Sequence, residues 1–177
     1  MLIVFAGLPG TGKTTLARAL ADERNAVYLR IDTIEQALQK PRPAGEDIGP
    51  AGYLVAYALA KENLRQPGHI VIVDAVNPLK VTRDAWQEIA RASACPLSEI
   101  ELICSDRDEH RRRVEMRATE GDGSPPLTWQ QVIDRPYEPW DRPHLVVDTA
   151  KRSAQQALAE IRRWIDDDAS GRTIDQR

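Results

Sequence analysis

A chain of 177 residues with a net charge of −3 is sized for one domain, and as a whole it is no electrostatic magnet for nucleic acid or an anionic membrane. Its 42% hydrophobic and 29% charged residues are those of an ordinary globule, and no apolar run approaches the ~18 residues of a membrane span. Two cysteines without CxxC spacing and three scattered histidines give neither a disulfide framework nor a zinc site. No basic residues precede the short apolar start, so no signal peptide is read and a cytoplasmic location is expected. Arginine outnumbers lysine 19 to 5. That bias is either genomic or a sign of phosphate chemistry, because the guanidinium fork matches phosphate oxygens.

In chain order, strands alternate with helices. Residues 2–6 are a continuous apolar run, as a parallel strand buried on both faces should be. A helix follows from Lys13 to about Glu23. Residues 26–31 read as a second strand and 33–39 as a short helix stopped by Pro41. Half of residues 41–52 are proline or glycine, which predicts a loop. Residues 53–65 are helical, and 70–73 form a buried strand ending at Asp74. A helix over 81–94, a strand over 100–104 and a charged helix over 106–119 come next. Residues 121–126 are a hinge-like loop. Thr128 with Gln131 forms a capping box opening a short helix. The last strand is 144–147, followed by an amphipathic helix on which Ala154, Leu158, Ile161 and Ile165 recur at helical spacing. The expectation is a single α/β domain over residues 1–167 with a five-stranded parallel sheet, a lid at about 105–127 and a polar tail over 168–177.

Gly7-Leu8-Pro9-Gly10-Thr11-Gly12-Lys13-Thr14-Thr15 fits G-x-x-x-x-G-K-[ST] between a buried strand and a helix. Glycines let the backbone curl with its N–H groups inward, and the helix N-terminus completes an anion nest. Lys13 would reach the β- and γ-phosphates of ATP, and Thr14 would sit on Mg²⁺. Asp74, at the end of its strand, is the natural second partner of that ion. Ala75 follows it, where motor ATPases generally carry a water-activating glutamate. No Asn-Lys-x-Asp stretch is present, which argues against a guanine-specific switch.

Ligands of open α/β sheets bind beyond the carboxyl ends of strands. Asp32, closing the second strand, can therefore take the proton of an acceptor hydroxyl. It also suits a helix N-cap, and the two roles can coexist. Arg30, Asn77 and Arg83 are candidate acceptor contacts, with a surface role as the alternative for the arginines. Tyr53 and Tyr57 are core residues first and substrate wall second. Five arginines lie between residues 107 and 117, where Val114 and Met116 are the sole apolar residues. Such a helix has little to bury and suits a closing lid whose Arg113 and Arg117 place charge on the transferring phosphoryl group. A solvated helix laced with ion pairs is the alternative.

GLPGTGKTT, RID, VIVDAVNP, the arginine helix and YEPWDRPHLVVDT together resemble the small AAA-type P-loop kinases. That group is similar to the polynucleotide 5′-hydroxyl kinase domain, zeta toxins, chloramphenicol phosphotransferase and adenylylsulfate kinase. The resemblance implies a sheet ordered 2-3-1-4-5 and ATP and Mg²⁺ at Lys13 and Thr14. It also implies Asp32 as the base, Arg113 and Arg117 as lid arginines, and Asp148-Thr149 near the adenine. The expected function is ATP-dependent phosphoryl transfer to a hydroxyl of a small molecule or nucleotide. The alternatives are a polynucleotide 5′-hydroxyl kinase, disfavoured by the net charge of −3, and a nucleotide-binding regulatory ATPase without an acceptor.

Overall fold

The computed structural model describes residues 1–43, 46–120 and 127–169, with the backbone alone at 117–120 and 168–169. The expected hinge-like loop at 121–126 and most of the expected tail, 170–177, lie outside the described residues.

The elements are β1 (Leu2–Ala6), α1 (Lys13–Arg24), β2 (Val27–Arg30), α2 (Ile31–Gln39), α3 (Ala51–Asn63), β3 (Val71–Asp74), α4 (Lys80–Ala92), β4 (Leu97–Ile103), α5 (Arg107–Glu120), α6 (Trp129–Ile133), β5 (Leu145–Asp148) and α7 (Ala154–Ala169). The five strands form one parallel sheet in the order β2-β3-β1-β4-β5. Alternation explains why β1 is apolar throughout. Ile3 and Phe5 pack with Leu16, Leu20 and Ile161 of α1 and α7, while Leu2 and Val4 pack with Ala56, Ala60 and Trp86 of α3 and α4. Register then sets the site. Phe5 lies beside Asp74, and Asp74 beside Arg30, so three strands end in one row at the carboxyl edge.

Two boundaries differ from the sequence reading in ways that matter. The helix α2 begins at Ile31, and its N-cap is Arg30. Asp32 therefore sits in the first turn and does not cap the helix. The strand β4 begins at Leu97 rather than at residue 100, because Ser98 and Glu99 join the ladder beside β1. Those polar residues hide the strand from an apolar-run search. Glu99 is buried and held by Arg142 through Nε at 2.6 Å and Nη2 at 2.8 Å.

Asn77 and Arg83, expected to contact the acceptor, are corrected by their surroundings. Both have no exposed surface. Asn77 Nδ2 donates to Phe5 O at 3.0 Å, and its Oδ1 accepts from Trp86 Nε1 at 3.0 Å. The Arg83 guanidinium donates to Glu138 O and Pro139 O, each at 3.0 Å, and lies over the Trp140 ring at 4.6 Å. Both staple the core and the chain that leads into β5. Trp86→Phe should leave Asn77 Oδ1 buried without a donor, at a cost of about 1–3 kcal/mol. Thermal denaturation should register a Tm lowered by roughly 3–10 °C. An unchanged Tm would remove this bond from the stability of the fold.

Among the described residues, no helix is long and apolar enough to cross a membrane.

Candidate active site

The loop between β1 and α1 has the shape its glycines permit. Gly7 has φ +131°, and a Cβ there would stand 2.2 Å from Leu102 O, a backbone atom that cannot yield. Gly10 has φ +83°, and a Cβ would stand 2.7 Å from Val114 Cγ2 of α5. Lys13 is buried, and its Nζ donates to Leu8 O at 2.8 Å, which folds the ammonium over the loop. Gly12 precedes the first turn of α1, whose free N–H groups face the loop.

Thr14 Oγ1 donates to Asp74 Oδ2 at 2.7 Å, so the two expected metal ligands are neighbours. Tyr28, which the sequence reading did not single out, donates its hydroxyl to the same Oδ2 at 2.7 Å. Burial and then the Asp74 charge push the Tyr28 phenol well above its ordinary range. Arg30 is buried rather than on the surface. Its Nε is 3.9 Å from Asp74 Oδ2 and its Nη2 is 3.3 Å from Asp32 Oδ2. Arg30 thus spans the two carboxylates from behind and is not part of the cavity wall.

In front of this row lies a cavity of about 530 Å³. Lys13, Thr14 and Asp74 line one end, Asp32 and Glu35 line the α2 side, and Leu127 and Arg135 arrive from the chain after α5. Burial and then the charge of Asp32 raise Glu35 above the usual carboxylate range, against the opposing pull of Arg135. Sequence reasoning missed Glu35 and Arg135. The first was legible as the residue one turn beyond Asp32 on a helix, and nothing local marks the second.

A smaller cavity of about 240 Å³ opens on the other side of the loop, lined by Gly12, Thr15, Arg113, Thr149 and Arg152 among others. Thr149 is at this cavity, but Asp148 is not. The Asp148 carboxylate accepts from Ser105 N at 3.0 Å, Ser105 Oγ at 2.5 Å and Ala150 N at 3.1 Å. Burial opposes its ionisation, yet these bonds and Lys151 hold it well below the usual range. Asp148 is the staple that fixes the turn carrying Thr149.

The arginine helix is not the loosely packed element that its composition predicts. His110 and Val114 are buried. His110 Nε2 is 2.7 Å from Pro9 O, and its ring meets Trp129 edge-on at 5.1 Å. Burial, with the Lys13 and Arg113 charges, holds its pKa below the ordinary histidine value. Arg113 is fastened by Glu109 at 2.7 Å and reaches Thr149 Oγ1 at 2.8 Å. It therefore stands at the smaller cavity and not over Asp32, because α5 is laid along the loop by His110 and Val114. The Arg117 side chain lies outside the described residues.

Known proteins resemble this chain in sequence and fold. A family model described as an AAA domain matches residues 2–139. An adenylyl-sulfate kinase of Synechococcus sp. is 28% identical over 87% of this chain and 87% of its own length. The mouse protein KTI12 homolog is 36% identical over 100 residues, 54% of this chain but 28% of that protein. The crystal structure of Chaetomium thermophilum Kti12 in complex with ADP-AlF3 superposes with a TM-score of 0.69 and 25% identity, over 93% of this chain and 99% of that one.

Proposed function

The chain belongs to the AAA-domain family of P-loop kinases, and we propose that it transfers the γ-phosphoryl group of ATP to a hydroxyl of a small molecule. The observation that carries the reading is the shared cavity. Lys13, Thr14 and Asp74 stand at one end of a space of about 530 Å³, and Asp32 stands on its wall. Hydrolysis needs room for one water, whereas this space admits a second substrate. Ala75 in place of a water-activating acid points the same way. An adenylyl-sulfate kinase and an ADP-AlF3-bound Kti12 among the relatives support ATP as donor.

The loop N–H groups and Lys13 hold the phosphate oxygens, and Lys13 neutralises charge as it develops. The donor set fits Mg²⁺, because Thr14 and Asp74 offer a hydroxyl and a carboxylate oxygen already 2.7 Å apart. The ion, when bound, would draw charge from the phosphate oxygens. Asp32, oriented by Arg30, accepts the proton of the acceptor hydroxyl. The acceptor oxygen forms its bond to Pγ as the bond from Pγ to the bridging oxygen of ADP breaks. Arg113 and Thr149 serve the base and sugar end of the nucleotide at the smaller cavity.

Acceptor-stimulated ADP release across a panel of alcohols tests this reading. ADP release that no alcohol stimulates, with a partner protein recovered only in the presence of ATP, would instead favour a nucleotide-binding regulatory ATPase, a reading that similarity to the KTI12 homolog leaves open. Arg113→Ala should raise the Kd for ATP by roughly 10–100-fold, the scale of a lost charged hydrogen bond. Its kcat at saturating ATP should change little. A fall in kcat with unchanged ATP affinity would return Arg113 to the transferring group.

A further inference from the structure

The large cavity continues along α2 beyond Asp32. Glu35 lies three residues further, so both carboxylates line the same side of the cavity. The fold makes a place for it. Gly52, in the first turn of α3, lies so close that a Cβ there would be 2.3 Å from Glu35 Cγ and 2.9 Å from its Oε1. A Cβ at Gly52 would therefore displace the Glu35 stem from its place against α3. Gln36 and Gln39 add two amides to the same wall.

Charge decides what this end can hold. Lys13, Asp74 and the buried Arg30 behind the wall belong to the phosphate end, and the other described charges of the cavity are Asp32 and Glu35 against Lys40 and Arg135, which sum to zero. An acceptor bearing phosphate or sulfate would lie against two carboxylates, and the two cations would already be offset. Ionised carboxylates only accept hydrogen bonds, so the groups they select are donors, and amides on the same wall both donate and accept. Hydroxyls satisfy both.

We propose that the acceptor is an uncharged polyhydroxylated molecule, a sugar or polyol, whose reacting hydroxyl meets Asp32 and whose neighbouring hydroxyls donate to Glu35. This rests on the kinase reading above and adds the substrate class to it. Glu35 is then a specificity-determining residue at the same site, and the Cα hydrogen of Gly52 is what leaves it room.

The test compares four sets of probes: unphosphorylated hexoses and pentitols, their monophosphates, aminohexoses, and AMP. Acceptor-dependent ADP release is measured for each, together with calorimetric binding in the presence of a non-hydrolysable ATP analogue. The neutral sugars and polyols should be bound and phosphorylated. Glu35→Gln should raise their KM by roughly tenfold or more, the scale of a charged hydrogen bond. Its kcat should stay within about threefold and its affinity for ATP should be unchanged. Turnover of the monophosphates, the aminohexoses or AMP in preference to the neutral set overturns the proposal and leaves the kinase reading standing. So does an unchanged KM in a Glu35→Gln protein that melts like the wild type. No binding and no acceptor-dependent ADP from any set overturns both. If Glu35→Gln fails to fold, the ranking of the four sets by the wild-type protein decides alone.

Discussion

Asp32→Asn should abolish phosphoryl transfer while leaving ATP bound as before. The substitution keeps the shape of the side chain and a hydrogen-bond partner for Arg30, which stands 3.3 Å from Asp32 Oδ2. It removes a carboxylate on the cavity wall beside the phosphate end that is placed to take a proton from an incoming hydroxyl. Loss of a general base costs roughly 10²–10⁴ in rate. That loss should fall on kcat, because Asp32 stands on α2 at the acceptor side of the cavity and is not part of the loop that holds the nucleotide. Titration with ATP should return the wild-type Kd, and the acceptor-dependent rate should collapse. A rate within threefold of wild type would take Asp32 out of the chemistry and leave it as a partner of Arg30.

Lys13→Ala should produce the opposite signature, with nucleotide affinity and turnover falling together. Lys13 is buried, its Nζ is drawn 2.8 Å from Leu8 O, and it lines the cavity between the loop and Asp74. An ammonium there meets phosphate charge in the ground state and meets more of it as the bond to ADP breaks. Removing such a preorganised charge costs roughly 10²–10³ in kcat and weakens binding besides. Arginine should not restore it, since a planar fork needs more room than a point charge in so close a loop. Steady-state kinetics with ATP titration on a protein that melts normally checks this. Retention of activity within about tenfold would mean that the loop amides alone hold the phosphates.

The parts of the site that lie within one short stretch were legible in the sequence. The loop shows itself because glycines, Lys13 and Thr14 must follow one another to wrap a phosphate. Asp74 and Asp32 show themselves as acids where apolar strands end. The order of the strands was not legible from pattern and came from the resemblance to a family. Residues whose role depends on register escaped. Tyr28 reads as filling in a buried strand, and only the pairing of Arg30 with Asp74 places its hydroxyl against the carboxylate. Arg135 comes from a segment distant in sequence from Glu35, whose charge it acts on. Asn77 and Arg83 misled because polar residues near a strand end suggest a site, whereas here they are consumed by Trp86, Phe5 and two backbone carbonyls. Arginine content also concealed the packing of α5. His110 counted as one of three scattered histidines, yet it is buried against the loop.

The contact between His110 and Pro9 O has a thermodynamic corollary. The loop that would receive the phosphates leans on α5 at Pro9 and, through Gly10, at Val114. Folding of that helix and occupancy of the loop are then linked functions. Whatever free energy α5 lends to the bound form of the loop, the bound nucleotide must return to α5 in equal measure. Conditions that fray the helix would surface first as weaker nucleotide affinity, and saturating nucleotide would slow amide exchange in a helix that need not touch the ligand at most of its length.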